Sequence, residues 1–459
     1  METAPYKHAL VLGLGVSGAA AAELLLGEGA RVTVVDRSAG VEVRERGAAL
    51  ERAGAQVLTG IAELPAGQFD VCIVSPGIPV NRGWVPELER KGVPVISELD
   101  LGGSRCRCRC LAVTGTNGKS TLTGLCAEAL SRAGLRTAAG GNYGVPLCRL
   151  ARQSGELDWI VAEVSSFQLE RTFGFHPLVG VLLNLQPDHL DRHGDMLTYM
   201  KTKARLFENM TAGDTAIIPA ALSEEPAGIV KHAASAAGRR GVGPDWLTFG
   251  TSPDSDIRLE GSRIHLGCRG GDAEIDLAGS YFDNSVLGLA AAAGAGAVMA
   301  CRADPRVLEE AVRNFKPLPH RMTKVLDAGG ICFVDDSKAT NLSALGAALR
   351  MADRPVRLIA GGLLKEADLK RFQEILVKKV CALYVIGKAA AEMDAAWGEA
   401  VPCRRCGTLE RAVREAWREA RDGEMILLSP GCASFDQFRD FEDRGNQFIR
   451  IARSINEET

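Results

Sequence analysis

An α/β fold divided among three domains, with mostly parallel sheets, is predicted by three features of this sequence. Apolar runs rich in Val, Ile and Leu alternate with Ala-, Leu-, Glu- and Arg-rich stretches of helical period, the pattern of strands and the helices that cover them. Strand-like segments lead twice into glycine-rich turns that open helices, at Gly13 and again at Gly115. The chain's 459 residues are about three times a common domain of ~150 residues, so several cores are possible. No repeat period of the solenoid kind is visible.

Lys and Arg number 54 against 57 Asp and Glu, a net charge of −3. That balance offers no global field for nucleic acid or an anionic membrane, so small-molecule partners are expected. No apolar stretch reaches the ~20 residues that span a bilayer. Residues 1–12 show no signal-peptide cleavage pattern, and the expectation is a cytoplasmic enzyme acting as a monomer. The 13 cysteines are scattered and odd in number, and a disulfide framework would be unusual in so long a chain; they read as reduced thiols.

The first segment, 1–108, begins with the strand-like Ala9 to Leu12, a glycine turn, the helix-like Ala19 to Leu26, and a strand from Arg31 to Val35 that ends at Asp36. This βαβ start reads as a Rossmann-like domain. Gly13-Leu-Gly-Val-Ser-Gly18 with the following Asp36 would alone spell a dinucleotide site, with a pyrophosphate on the helix N-terminus. After a strand over Val71 to Val74, Ser75-Pro-Gly-Ile78 is either a second ligand loop or an ordinary Pro-Gly turn.

The central segment, 109–317, opens with Leu111-Ala-Val-Thr-Gly-Thr-Asn-Gly-Lys-Ser-Thr121, a strand, a glycine-rich turn and a helix beginning near Leu122. Such a P-loop-like turn aims backbone N–H groups at phosphate oxygens. Lys119 would neutralise the β/γ charge and Ser120 or Thr121 would offer a hydroxyl to Mg²⁺. Gly115, Thr116, Asn117 and Gly118 complete the ATP loop, which is a variant because Val113 stands where the generic pattern has its first glycine. Glu163 ends the strand-like Trp159 to Ala162, so its carboxylate projects from a strand's C-terminal end, and a hard oxygen there suits Mg²⁺. Asp188 and His189 follow the strand-like Val181 to Leu185. His189 and His193 at i, i+4 could suggest zinc, but no Cys or Glu completes a tetrahedral set, and a solvated loop histidine is the commoner outcome. Upstream, Arg105-Cys-Arg-Cys-Arg-Cys110 places three thiols on one strand face, as a soft-metal site or as half-buried thiols with the arginines in water; the second reading is preferred. Lys316-Pro-Leu-Pro319 then interrupts a helical pattern and opens a third α/β series, 318–459.

The run Thr114-Gly-Thr-Asn-Gly-Lys-Ser-Thr121 resembles the Mur ligase family, related to the folylpolyglutamate synthases. Gly141-Asn-Tyr-Gly144, Glu163-Val-Ser-Ser-Phe-Gln-Leu-Glu170 and Asn184-Leu-Gln-Pro-Asp-His-Leu-Asp-Arg-His-Gly194 follow in that family's order. So do Leu318-Pro-His-Arg321, Asp336-Ser-Lys-Ala-Thr-Asn341 and Ser429-Pro-Gly-Cys-Ala-Ser-Phe-Asp-Gln-Phe438. The resemblance spans nearly the whole chain and implies a third domain that is also Rossmann-like.

By that resemblance the first domain binds a UDP-linked precursor rather than NAD, through Gly15, Val16, Ser17, Asp36, Arg37, Ser75 and Gly77, with Asn142, Ser165 and Gln168 from the central domain. The family implies two Mg²⁺ ions, one at Ser120 and Glu163 and one helped by His189. Lys203, in a helix expected over Met196 to Glu208, would be carbamylated and become an anionic metal ligand; Lys201 is the alternative. Arg321 and Asp336 would grip ATP from the third domain, with Asn284 on the adenine side. An amino acid with two carboxylates needs cations and donors, which Lys338, Thr340, Lys365, Ser434, Phe435 and Phe441 would supply. The Ser-Pro-x-Cys-Ala-Ser-Phe-Asp-x-Phe loop resembles the D-glutamate-adding branch. The implied reaction is ATP-dependent attachment of D-glutamate to UDP-N-acetylmuramoyl-L-alanine through an acyl phosphate, a step of peptidoglycan synthesis, with Lys119, Glu163, His189 and Lys203 catalytic.

Two stretches depart from the family pattern. Gly279-Ser-Tyr-Phe-Asp-Asn284 lacks its histidine, with Leu287 in place of a second Asn, and Lys365 is followed by Glu366. Rival readings are a folate-type ligase, which would lack a domain ahead of the phosphate loop, a nicotinamide oxidoreductase, which needs neither Lys119 nor Glu163, and a non-catalytic ATP-binding regulator.

Overall fold

The computed structural model describes residues 6–222, 228–232, 243–267, 273–365 and 368–458. The sequence's prediction of mostly parallel sheets holds, and the strands form three of them. The first contains β1 (His8–Leu12), β2 (Arg31–Asp36), β3 (Gln56–Thr59), β4 (Val71–Val74) and β5 (Val95–Ser97), in the order β3-β2-β1-β4-β5. All its pairings are parallel. β1 and β4 are apolar at nearly every position because both faces are covered: Ala9, Val11 and Ile73 pack on one side, Leu10, Leu12 and Val74 on the other.

The second sheet runs through β6 (Arg109–Thr114), β7 (Thr137–Gly141), β8 (Trp159–Glu163), β9 (Val179–Leu182), β10 (Thr215–Pro219), β11 (Asp245–Gly250), β12 (Ile257–Glu260), β13 (Arg263–Leu266) and β14 (Ala273–Asp276). Its order is β14-β13-β12-β11-β10-β9-β6-β8-β7. The ladder is parallel from β7 to β12 and finishes as an antiparallel meander. β6 therefore lies between β8 and β9, so the loops leaving these three strands are neighbours. Cys106 and Cys108 precede β6 and pack, half-buried, against the same apolar cluster that holds Cys110; burial pushes the Cys106 thiol up to about 12. The 12 described cysteines are all free thiols.

The first two sheets belong to one compact unit and are stitched together by polar contacts. Ser97 and Thr172 share a 2.8 Å hydroxyl bond. Asp100 accepts the backbone N–H groups of Phe173 and Gly174 at 3.0 and 2.8 Å. Glu98, fully buried, accepts the Cys148 N–H at 2.7 Å through Oε1.

A second unit, residues 186–191, 279–288 and 314–459, carries β15 (Thr323–Ala328), β16 (Ile331–Asp335), β17 (Val356–Gly361), β18 (Val380–Ile386), β19 (Cys403–Gly407) and β20 (Met425–Leu428), ordered β15-β16-β20-β17-β18-β19. Only β15 is antiparallel. Apolar clusters cover both faces, and the last helix, Phe441–Glu458, contributes Phe448, Ala452 and Ile455 to one of them. Among the described residues no helix is long and apolar enough to cross a membrane.

Candidate active site

The phosphate-type loop leaves β6 and enters a helix at Lys119, three residues earlier than the pattern suggests. Gly118 makes the difference: with φ 82° it caps the helix in the left-handed region, and a Cβ there would stand 2.9 Å from the Leu183 side chain. Leu122 is bonded back to the Gly118 carbonyl at 3.0 Å, so Lys119, Ser120 and Thr121 form the first turn, at the helix's positive end. The loop itself is pinned by a residue that sequence reasoning did not single out. Asn184 Oδ1 accepts the N–H groups of Thr116 and Asn117, both at 3.0 Å, and its Nδ2 donates to the Asn117 carbonyl at 2.9 Å. The amides of Thr116 and Asn117, expected to face phosphate, are both held by Asn184 here. The first turn of the helix that follows carries the positive end of its dipole, which suits an anion.

Two lysines converge on this loop. Lys119 Nζ donates to the carbonyls of Gly115 and Thr116, both at 2.9 Å. Lys203 Nζ donates to the Gly115 carbonyl at 2.8 Å, with its side chain 1 % exposed and its ammonium 4.8 Å above the Tyr199 ring. The helix bearing Lys203 is Met196–Ala204 and tightens into a 3₁₀ turn at Arg205–Phe207, so it is shorter than the expected span to Glu208. The Tyr199 hydroxyl reaches Thr116 Oγ1 at 3.1 Å.

Glu163 ends β8 beside the loop, as expected from sequence. It is buried, its Oε1 accepts Asn142 Nδ2 at 2.9 Å, and among the described residues its Oε2 has no hydrogen-bond partner. A buried carboxylate oxygen left without a donor is costly and fits a hard cation. Gly141, φ 106°, allows this approach, since a Cβ there would lie 2.2 Å from the Glu163 carbonyl oxygen. Ser165 and Gln168 form a capping box on a short helix, which leaves the buried Gln168 Nε2 without a partner.

His193 does not fit the zinc alternative. Its Nε2 is 3.0 Å from Ser166 Oγ and its Nδ1 faces Glu170 at 3.7 Å, so both ring nitrogens are engaged by the protein. Among the described residues no three His, Cys, Asp or Glu side chains converge as a metal cage.

In the first sheet, the helix Val16–Gly27 begins directly after Gly15, again earlier than the pattern suggests. A Cβ on Gly18 would meet the Gly13 carbonyl oxygen at 1.9 Å, which is why a glycine stands there. Asp36 accepts the N–H of Leu14 at 2.6 Å and of Ser38 at 2.7 Å, so its carboxylate shapes the loop where sequence reasoning had placed a ligand contact. Ser75 donates to the Gly13 carbonyl at 2.9 Å. Val16 is exposed at the helix start and Arg37 stacks over Trp84 at 4.6 Å.

In the second unit, β16, β20 and β17 are adjacent and parallel, which brings together the loops carrying Asp336, Lys338 and Thr340, then Ser434 and Phe435, then Lys365. Leu363 and Ala433 exchange backbone bonds of 2.8 and 3.0 Å, lacing two of these loops. Lys338 Nζ sits 3.6 Å above the Phe441 ring; Ser434 is buried, Phe435 is 70 % exposed and Lys365 is exposed. Glu366 lies outside the described residues. Asp336 accepts Ser429 Oγ at 2.8 Å and the Met322 N–H at 3.2 Å, and burial pushes its carboxyl up to about 7. Arg321 receives the Tyr281 hydroxyl on its carbonyl at 3.2 Å. Asn284 caps a helix, its Oδ1 accepting the N–H groups of Val286 and Leu287 at 3.1 and 2.9 Å while its Nδ2 donates to Tyr281. The amide expected on the adenine side is therefore engaged within its own turn. Asp188 accepts Asn341 Nδ2 at 2.9 Å, and His189 next to it holds φ 55°, a strained value for a side-chain-bearing residue. Arg444, unnoticed in the sequence, is fully buried and donates to Ser337 Oγ (2.9 Å), the Ser337 carbonyl (2.8 Å) and the Cys432 carbonyl (3.1 Å).

A three-sheet α/β chain with a lysine-bearing phosphate loop and a buried carboxylate beside it has the makings of a nucleotide-dependent enzyme. The chain belongs to the Mur ligase family. Residues 7–97 match the Mur ligase MurD-like N-terminal domain, 113–270 the Mur ligase middle domain and 320–432 the Mur ligase glutamate ligase domain. It is 37 % identical to the UDP-N-acetylmuramoylalanine–D-glutamate ligase of Acidobacterium capsulatum over 96 % of this chain and 95 % of that one. Identity to the enzyme of the same name from Pelotomaculum thermopropionicum is 38 %, over 98 % of both chains. In fold it is similar to the MurF ligase of Thermotoga maritima in complex with ADP (TM-score 0.60, 16 % identity, 93 % of this chain and 95 % of that one).

Proposed function

We propose that this protein joins D-glutamate to UDP-N-acetylmuramoyl-L-alanine with the cleavage of ATP to ADP and phosphate, a cytoplasmic step of peptidoglycan synthesis carried out by a monomer. The carrying observation is the end-to-end similarity, 37–38 % over 96–98 % of the chain, to ligases that bear that name. The folate-type ligases share the fold, as in the bifunctional folylpolyglutamate synthase/dihydrofolate synthase (TM-score 0.55, 15 % identity, 83 % of this chain and 99 % of that one), but the muramoyl-alanine ligases also align across the first domain. A nicotinamide enzyme would need neither Lys119 nor Glu163.

In this reading the domains divide near residues 108 and 318. Gly15, Val16, Ser17, Asp36, Arg37, Ser75 and Gly77 take the uridine diphosphate, and Asn142, Ser165 and Gln168 take the muramoyl end. Lys119 and the helix turn Lys119 to Thr121 draw off charge as the γ-phosphoryl group passes to the alanyl carboxylate. The resulting acyl phosphate is attacked by the amine of D-glutamate, oriented by His189, and the tetrahedral intermediate collapses to amide and phosphate. Lys338, Thr340, Lys365, Ser434, Phe435 and Phe441 hold the two carboxylates of the amino acid, and Arg321 and Asp336 hold ATP from the third domain.

The unpartnered Oε2 of Glu163 and the hydroxyl of Ser120 fit Mg²⁺, with His189 and a carbamate on Lys203 serving a second ion. Magnesium bound there would neutralise phosphate charge. The deciding assay is phosphate release with the UDP-muramoyl-alanine precursor and D-glutamate, L-glutamate, L-alanine or a diamino acid. Release with D-glutamate alone is expected; release with another amino acid in its place would overturn the reading.

A further inference from the structure

An unbroken run of side-chain contacts joins the loop after β4 to the loop after β6. Arg192 donates through Nη1 to the Pro76 carbonyl at 2.8 Å and through Nη2 to the Ile78 carbonyl at 3.0 Å. The same guanidinium forms a two-pronged pair with Glu170, with Nε 2.9 Å from Oε1 and Nη2 2.5 Å from Oε2, and lies 4.2 Å above the Phe167 ring. Both side chains are largely shielded, at 15 % and 10 % exposure. His193 continues the run, facing Glu170 at 3.7 Å and packing on Tyr199 with ring centroids 5.2 Å apart. The Tyr199 hydroxyl closes it at Thr116 in the phosphate loop, 3.1 Å away.

Arginine suits the first position because one planar fork serves two carbonyls and a carboxylate at once, which a lysine ammonium cannot do. The two carbonyls that this largely shielded guanidinium joins belong to Ser75–Ile78, the loop given above to the uridine end of the precursor. We propose that Arg192 is a positioning residue that fixes the uridine loop against the phosphate loop, so that anchoring the far end of the substrate places its carboxylate for phosphoryl transfer. This rests on the uridine assignment made under the proposed function. Binding energy from a remote group raises the rate only when the two ends are held in register, and a displacement of ~1 Å at the reacting atoms can cost on the order of 100-fold.

The test compares two acceptors in the full-length enzyme: the complete UDP-muramoyl-alanine precursor and the same molecule lacking UMP, muramoyl-alanine 1-phosphate. For Arg192→Lys, shown to be folded by its binding of ADP, kcat/KM for the complete precursor should fall roughly 10- to 100-fold, while kcat/KM for the truncated acceptor stays within about twofold of wild type. Arg192→Gln, which keeps a planar donor for the carbonyls, is read in parallel should the lysine variant not fold. An equal fall with both acceptors would reduce Arg192 to a structural role and overturn the proposal. If the wild-type enzyme itself uses the two acceptors equally well, the uridine assignment fails and the proposal falls with it.

Discussion

Lys119 and Lys203 donate to the same oxygen, the carbonyl of Gly115, at 2.9 and 2.8 Å. Two ammonium groups sharing one acceptor, one of them almost wholly buried, repel each other strongly, and an anion placed between them would relieve that repulsion. A carbamate on Lys203, formed by addition of CO₂ with loss of a proton, would supply such an anion without adding a residue. Lys203→Ala should therefore lose activity by at least ~100-fold and recover part of it when a small carboxylic acid such as acetate or formate is added to fill the space. Full activity of the alanine variant in a steady-state phosphate-release assay would remove Lys203 from the chemistry.

In the proposed reaction Lys119 would have the complementary role of a cation beside the transferring phosphoryl group. Lys119→Ala should lower ADP formation by ~100-fold or more, the scale of a lost electrostatic contact to a transferring phosphoryl group. The dissociation constant of the UDP-precursor, measured by calorimetry, should stay within about twofold, because that ligand is assigned to loops of the first domain. Parallel loss of both would place Lys119 in the fold instead.

Glu98 gives a pH signature unrelated to catalysis. Burial raises its carboxyl from 4.5 to about 7, and its Oε2 has no hydrogen-bond partner. Between those two values the folded protein holds a proton that the unfolded chain has released, so the stability that Glu98 contributes is fully present below pH ~4.5 and is lost as pH rises to ~7. A shift of this size is worth up to ~3 kcal/mol. Glu98→Gln should flatten the fall of the melting temperature over that interval relative to wild type, which keeps the same-signed contribution of Asp336. Identical slopes for the two proteins would contradict it.

Arg444 links Ser337 and Cys432, and so holds two of the loops given to the amino acid. Arg444→Met keeps the bulk and deletes three donations to buried acceptors, a loss of about 3 kcal/mol or more. A lower melting temperature should accompany a rise in KM for D-glutamate, with KM for the UDP-precursor unchanged. A fall in kcat for all substrates with no change in the amino acid's KM would argue for a general loosening instead.

The sequence made some of this legible and hid the rest for a physical reason. The βαβ start, the strand before Gly115 and the position of Glu163 at a strand end could be read because they are local: periodicity, glycine spacing and turn chemistry act over a few residues. The helix starts at Val16 and Lys119 were placed late because a glycine cap leaves no polar signature of its own. Asn184, Arg192 and Arg444 were missed as functional positions because their partners lie far along the chain, at Asn117, Pro76 and Ser337. Nothing within the neighbouring residues marks a donor whose acceptors are brought to it only by the tertiary fold. For the same reason nothing near Thr116 and Asn117 in the sequence shows that Asn184 holds their amides.

Arg444 lies on the helix Phe441–Glu458 and is separated from Ser337 by 107 positions in the chain. Until that helix docks, the loops around Ser337 and Cys432 lack the guanidinium that joins them. The amino-acid end of the proposed site therefore depends on a contact between distant parts of the chain, which local pairing of its strands does not complete.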